Sequence, residues 1–145
     1  MAASPRRGTR SDVGAPLRRR LTRAARRVLD WEGAGNTRVE VTVLDAPAMR
    51  RLNRRATGRR GLTDVIAYAL PQPDGSVLGD VYLCPTAARQ TAGPARAALE
   101  QELVRLAVHG TLHVLGYDHP QGPGRTRSAM WRRQERYVRR LAGAT

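Results

Sequence analysis

The three histidines of this chain are its clearest candidates for chemistry. His109, His113 and His119 fall within one segment of eleven residues, with the spacing His-x3-His-x2-Gly-x2-His. Two histidines four residues apart project from one face of a helix, so both imidazoles can reach one ion at about 2.0–2.1 Å. Gly116 allows a left-handed turn that ends the helix and returns His119 to the same ion. Three imidazoles with an open fourth position predict one zinc ion per chain, in a catalytic rather than a closed structural site.

Other readings of the histidine cluster stay open at this point. A single histidine on a helix is usually a packed or surface residue, and nickel, copper or cobalt could occupy the same three ligands. The spacing is similar to that of the metzincin proteases, which place a glutamate directly after the first histidine as general base. Here that position is Gly110. Peptide hydrolysis by that route therefore lacks its base.

Several other residues could have either a functional or a structural role. Asp118 could orient an imidazole of the metal site, or it could cap the turn after Gly116. Asp64 and Asp80 are expected to be structural or to line the cleft, because neither has a spacing that favours direct ligation. Cys84 is the only cysteine, and it follows an apolar run, so it is expected to be a small core residue.

The elements that must position these residues can be read from periodicity. The metal-binding helix begins at Pro94 and ends before Gly116, with leucines along one face. Further helices are predicted at 17–31, 46–55, 85–91 and 126–141, and strands at 38–44, 63–69 and 77–83. The turn residues at 71–76 (PQPDGS) make the last two strands an antiparallel hairpin. We expect a disordered basic tail over 1–15 and a single domain over 16–145.

The segment HGTLHVLGYDH (109–119) resembles the signature of the bacterial YbeY family of zinc-dependent endoribonucleases. Upstream, Leu52-Asn53, Thr63–Ile66 and Leu78–Val81 match motifs of that family, and Met130 falls where a C-terminal methionine is common. The resemblance covers roughly residues 38–140. It implies an α+β fold, in which a small mixed β-sheet packs against helices around a central, zincin-like metal-binding helix.

The chain departs from the family pattern around the cleft. Where the family usually has an aromatic residue followed by an arginine, this chain has Ala56 and Thr57. Arg55 or Arg59 could supply the charge from a shifted position, and we favour Arg59 as the catalytic residue. The usual Ser-Phe pair is Ala67-Tyr68, and the usual proline before Thr63 is Leu62, so no substrate-binding residue can be assigned.

Charge and family resemblance together predict the function. The net charge of +14, with 26 basic and 12 acidic residues, favours a polyanionic partner such as ribosomal RNA. The resemblance implies cleavage of single-stranded RNA, maturation of the small-subunit ribosomal RNA 3′ end and ribosome quality control, with ribosomal-protein or GTPase partners. An ion at the histidines would activate water for attack on a phosphodiester.

A second reading belongs to a different class of protein. The chain could be a ribosome-assembly factor that binds RNA or protein, with a chiefly structural metal and little catalysis. A third, an arginine-rich RNA chaperone, would bind no metal. No stretch approaches the ~20 apolar residues that a membrane span needs, and a cytoplasmic location is expected.

Overall fold

The computed structural model describes residues 13–120 and 122–143 of the chain. Five α-helices and three β-strands are formed by these residues, with one short 3-10 helix. The elements in chain order are α1 (Ala15–Trp31), β1 (Thr37–Val43), α2 (Ala46–Thr57), β2 (Val65–Pro71), β3 (Val77–Leu83), α3 (Pro85–Ala92), α4 (Arg96–Val114), the 3-10 helix (Gly122–Arg127) and α5 (Ala129–Gly143). Most of the predicted basic tail lies outside the described residues.

The three strands form one mixed sheet in the order β1-β3-β2. The central strand β3 pairs in parallel with β1 and antiparallel with β2. The predicted hairpin between the second and third strands is therefore confirmed, and so is the α+β class with a small mixed sheet. The alternation of β3 divides its side chains between two faces, with Val81 and Leu83 fully buried and Leu78 exposed.

Helix α4 crosses the buried face of this sheet at very short range. Two glycines make the approach possible. A Cβ atom on Gly110 of α4 would lie 2.6 Å from Cγ1 of Val81, and one on Gly79 of β3 would lie 2.6 Å from Cγ1 of Val114. Helices α1, α3 and α5 pack around α4 in turn, so that the carboxyl half of α4, which carries two of the histidines, is almost fully buried.

Helices α2 and α3 pack together at the carboxyl ends of β1 and β3. Met49 of α2 and Cys84 are both fully buried in one apolar cluster, against which Ile66 and Tyr82 pack. Cys84 is thus a core residue, as predicted. Asp45 caps α2 by accepting a hydrogen bond from the backbone N–H of Ala48 at 2.9 Å.

Two predicted helix boundaries are wrong. Helix α4 begins at Arg96 rather than Pro94, because Ala95 is extended (φ −67°, ψ 131°) and serves as the N-cap. The last predicted helix (126–141) is divided into a 3-10 helix and α5. Ser128 is the reason, because its hydroxyl accepts a hydrogen bond from the backbone N–H of Trp131 and caps α5 at that point.

None of the helices formed by the described residues is both long enough and apolar enough to span a bilayer.

Candidate metal centre and active site

The end of α4 brings the third histidine back towards the other two. The backbone N–H of Gly116 donates to the carbonyl of His113 at 2.9 Å, and that of Tyr117 donates to the carbonyl of Leu112 at 3.0 Å. These two bonds form a Schellman motif, which requires a residue in the left-handed region. Gly116 supplies it with a φ of 97°. The chain then reverses, as the spacing predicts, and carries His119 towards the helix face.

The three imidazoles converge on one point. A ligand nitrogen can be chosen from each of His109, His113 and His119 such that all three lie within 4.8 Å of one another. The Nε2 atoms of His109 and His113 are 3.0 Å apart. His109 is buried, whereas His113 and His119 are partly exposed, so the cluster has a closed side within the core and an open side towards solvent.

The Nδ1 atom of every one of these rings is engaged by an oxygen acceptor. Nδ1 of His109 lies 2.7 Å from Oε1 of Gln134, and Nδ1 of His113 lies 2.9 Å from the carbonyl oxygen of Tyr117. Nδ1 of His119 lies 3.1 Å from the carbonyl oxygen of Pro120. Because these oxygens accept, each Nδ1 carries the proton, and each Nε2 presents a lone pair, which is the form that binds a metal.

This donor set fits a transition-metal ion. Two Nε2 lone pairs at 3.0 Å repel each other unless a cation lies between them, and tetrahedral coordination at zinc–nitrogen distances separates two ligand nitrogens by roughly 3.3 Å. Burial lowers the pKa of His109 to about 4, and burial also lowers the pKa of His113. Both rings are therefore neutral at pH 7, as metal ligation requires.

Gln134 is a functional candidate that the sequence analysis missed. Its side chain is 1% exposed, and its Nε2 donates to Oε2 of Glu135 at 3.0 Å. Glu135 is held in turn by Arg105, whose Nε and Nη2 reach the two carboxylate oxygens at 2.8 and 3.1 Å. This chain of bonds turns Oε1 of Gln134 towards His109. The available signal was a polar residue on the apolar face of a predicted amphipathic helix, between Met130 and Val138.

A second network holds the Tyr117 turn against α1 and α5. One Glu32 oxygen accepts from the Tyr117 hydroxyl at 2.6 Å, and the other accepts from the Tyr137 hydroxyl and from Nη1 of Arg133. Burial raises the pKa of Glu32, but the three hydrogen bonds outweigh it and lower the pKa below its ordinary value of 4.5. The ionised carboxylate thus anchors the segment whose Tyr117 carbonyl orients His113.

We expect the substitution E32Q to destabilise the fold by about 1–3 kcal/mol near pH 7, because the amide removes the charge and replaces one of the two acceptor oxygens with a donor NH2 group. Since the folded-state pKa of Glu32 is lowered, its contribution is present above about pH 4.5 and is lost as the pH falls through the folded value. Urea unfolding at several pH values measures both effects. The matched control is E100Q, which removes two partly exposed ion pairs and should cost under about 1 kcal/mol. Equal effects of the two variants would contradict the anchoring role.

The other two predicted site residues are Asp118, which precedes His119 in the chain, and Arg59, which lies beyond the end of α2. Oδ1 of Asp118 accepts from the backbone N–H of His119 at 2.8 Å, which is the turn-capping arrangement. Arg59 is exposed beyond the end of α2, where its backbone N–H donates to Oγ1 of Thr57 at 3.1 Å. Among the described residues, its guanidinium forms no ion pair. A role for Arg59 in catalysis, or for Asp118 in orienting an imidazole, stays a prediction.

A cavity of about 310 Å³ adjoins the buried side of the histidine cluster. Asp64 lines it together with His109 and Gln134, and Arg125 and Trp131 form part of its wall. Asp80 instead lines a different cavity, with Arg26 and Glu40 among its neighbours. The cleft-lining alternative therefore fits Asp64 at the candidate site, whereas Asp80 belongs to another surface of the sheet.

Comparison with known proteins agrees with this geometry. Residues 10–142 match the sequence profile of the family described as Endoribonuclease YbeY. The chain belongs to the YbeY family. Endoribonuclease YbeY of Pelotomaculum thermopropionicum is 40% identical over 129 residues, covering 83% of this chain and 84% of that protein. The Moorella thermoacetica protein of the same name is 40% identical over 125 residues, covering 77% and 80%.

The fold is also shared with a solved structure. A Thermotoga maritima protein solved in solution superposes with a TM-score of 0.65 at 28% identity, over 92% of this chain and 86% of its own. The resemblance to the YbeY family, stated on short motifs, is therefore confirmed over nearly the whole chain. The family membership makes this protein an endoribonuclease-type hydrolase, and its three histidines form a site that can bind a metal ion.

Proposed function

We propose that this protein is a zinc-dependent endoribonuclease that cleaves single-stranded RNA at the histidine cluster. The observation that carries the proposal is the arrangement of the three imidazoles, whose Nε2 atoms are free while each Nδ1 is held by an oxygen. When bound there, zinc would supply Lewis-acid chemistry and a nucleophile derived from water near neutral pH. His109, His113 and His119 would hold the ion, and Gln134 would orient His109.

The setting of the cluster supports hydrolysis of a bulky polyanion. The partly exposed His113 and His119 leave one side of the cluster open, so a strand of RNA can approach without the protein having to open. Arginines on the solvent side of α1 and α5 contribute to the net charge of +14, which would attract the phosphate backbone. Gly110, at the position of the metzincin base, offers no side chain for general-base work on a peptide.

Metal removal and restoration test the proposal directly. Highly purified protein should cleave a single-stranded RNA, lose that activity on dialysis against a strong chelator, and regain it with about one equivalent of zinc per chain. Parallel additions of nickel, cobalt and copper would identify the best metal. Cleavage that persists after verified removal of the metal would exclude a metal-dependent nuclease.

The ribosome-assembly factor with a structural metal is a second candidate, and one observation favours it. Thr57 stands at the position where the family usually has an arginine. Its hydroxyl donates to the carbonyl of Asn53 at 2.8 Å, within the same helix, and it brings no positive charge to the site. Under this alternative, metal removal would unfold the protein and abolish RNA binding, while the metal-loaded protein would bind RNA without cleaving it. Gel analysis of RNA incubated with the loaded protein separates the two.

We further propose a cytoplasmic role in maturing the 3′ end of small-subunit ribosomal RNA and in ribosome quality control. Ribosomal RNA of the small subunit would be the principal partner, and ribosomal proteins or a GTPase would be additional ones. The family membership and the arginine-rich surface support this assignment. Accumulation of ribosomal RNA with an extended 3′ end in cells lacking the protein would test it, and normal 3′ ends in such cells would contradict it.

Replacing Gln134 should weaken zinc binding without removing a ligand. We expect Q134L to lower zinc affinity about 10- to 100-fold, because His109 loses the acceptor that fixes its tautomer and ring orientation. Competition with a chromophoric chelator measures this affinity. The exposed neighbour Arg136 provides the control R136Q, which should bind zinc like the wild type. Equal zinc affinities for Q134L and the wild type would contradict the positioning role of Gln134.

A further inference from the structure

The cavity beside His109 is lined by two arginines that are held very differently. Arg105 is engaged by two carboxylates, since its guanidinium contacts Glu102 at 2.9 Å and Glu135 at 2.8 Å. Arg125 forms no ion pair with any described residue. Its Cζ atom instead lies 5.4 Å from the centre of the Trp131 ring. Arg125 is thus the cation of this cavity wall that is available to an incoming anion.

The backbone around Ser128 holds Arg125 and Trp131 in fixed relation. The Ser128 hydroxyl donates to the carbonyl of Arg125 at 2.8 Å and accepts from the backbone N–H of Trp131 at 3.1 Å. One residue thereby joins the 3-10 helix to the first turn of α5. An arginine placed over an aromatic ring keeps its edge donors free, and these donors match the geometry of a phosphate.

The lining of the cavity places Arg125 beside the candidate reactive centre. His109, Asp64 and Arg125 all line the same cavity of about 310 Å³. Burial raises the pKa of Asp64, and the positive charge of Arg125 opposes that rise. Glu102 and Glu135 are neutralised by Arg105, so Asp64 is the remaining carboxylate of this wall.

We propose that Arg125 binds a phosphate group of the RNA substrate beside the three histidines, with Trp131 holding its guanidinium in place. This assignment rests on the proposed cleavage of RNA at that site. It gives the cleft a cation from the segment after His119, in a chain that has Thr57 where the resemblance leads one to expect an arginine. The paired N–H donors of the guanidinium, beside the reacting phosphodiester, would bind the RNA strand. They would also stabilise the negative charge that develops on the phosphate oxygens during cleavage.

The test compares R125Q with R127Q, which removes an exposed arginine of the same 3-10 helix that does not line the cavity. Binding of a labelled single-stranded RNA to metal-stripped protein is followed by fluorescence anisotropy at several salt concentrations. We expect R125Q to bind about tenfold more weakly, with the slope of log K against log salt reduced by about 0.7, the value of one phosphate contact on a single strand. R127Q should keep the wild-type slope.

Kinetics with zinc-loaded protein give the second readout. We expect R125Q to lower kcat/KM about 10- to 100-fold at unchanged zinc content, and R125K to recover part of the loss because it keeps the charge without the fork. A wild-type salt slope and kcat/KM in R125Q would overturn the proposal. So would a lowered urea midpoint with normal RNA binding, which would make Arg125 only a partner of Asp64. If the wild type binds RNA through Arg125 but cleaves none, the phosphate contact is supported and the nuclease function is not.

Discussion

Replacing His113 with alanine should remove the bound metal and, with it, the cleavage of RNA. Two imidazoles would remain, of which His119 lies on a partly exposed segment after the helix. Two ligands cannot hold zinc against a chelator that competes with three, so the metal content should fall from about one to under about 0.1 per chain. Loss of several kcal/mol of charge stabilisation lowers the cleavage rate by roughly 1,000-fold or more.

Elemental analysis and RNA cleavage on the same preparation measure these two effects. The R127Q variant, purified in parallel, should keep its metal and its activity. Urea unfolding of the metal-free proteins is a further control, because H113A loses the Nδ1 hydrogen bond to the Tyr117 carbonyl, worth about 1 kcal/mol, and the ring contacts of His113 with His109 and His119. Full metal content in H113A would contradict the assigned ligand set. Cleavage that survives in a metal-depleted H113A preparation would identify a contaminating nuclease.

Replacing Gly110 with alanine should destabilise the protein, although helix propensity alone predicts the opposite. Alanine is favoured over glycine inside a helix by roughly 1 kcal/mol. In this structure, however, the added methyl group would lie 2.6 and 3.0 Å from the two Cγ atoms of Val81. Val81 is fully buried in the central strand, and its β-branched side chain cannot turn aside. Overpacking of this kind costs about 1–3 kcal/mol, so we expect a net loss of stability.

Urea unfolding of G110A and of a matched G35A variant would measure this effect. Gly35 is exposed, has no positive φ, and would place a Cβ with nothing within 4 Å, so G35A should stay within about 0.5 kcal/mol of the wild type. A stability of G110A equal to or above that of the wild type would show that α4 can move away from the sheet. The same contact bears on the comparison with metzincins, because a glutamate at position 110 would begin with this clash.

The predicted fold followed from local patterns that the structure confirms. Alternation at residues 38–44 identified the first strand, and the turn residues at 71–76 identified the hairpin formed by the other two. The starts of α4 and of the last helix did not follow from the sequence. Helix α4 starts where the backbone of Ala95 is extended, without any side-chain cap. Helix α5 starts where the Ser128 hydroxyl meets the backbone N–H of Trp131, although nothing in the identity of Ser128 excludes a place inside a helix.

Some residues of the candidate site could likewise be predicted from the sequence, and others could not. Local geometry was sufficient for the histidines, because a spacing of four residues on a helix determines the relation of His109 to His113, and Gly116 provides the reversal that returns His119. Gln134 was missed because its partner His109 lies 25 residues away in the sequence, on a different helix. Arg125 was missed for a related reason, because the sequence does not show which of the many arginines lacks a carboxylate partner.

By itself, therefore, the sequence determined the three converging imidazoles and the family to which the chain belongs. Both are properties of short segments whose backbone geometry is set by periodicity and by one glycine. Only the tertiary structure decided how those imidazoles are held and what surrounds them. The proton positions on the imidazoles depend on the oxygens of Gln134, Tyr117 and Pro120. The need for glycine at position 110 depends on Val81, which faces it from the central strand. Contacts of that kind arise from packing between distant segments, which no local pattern specifies.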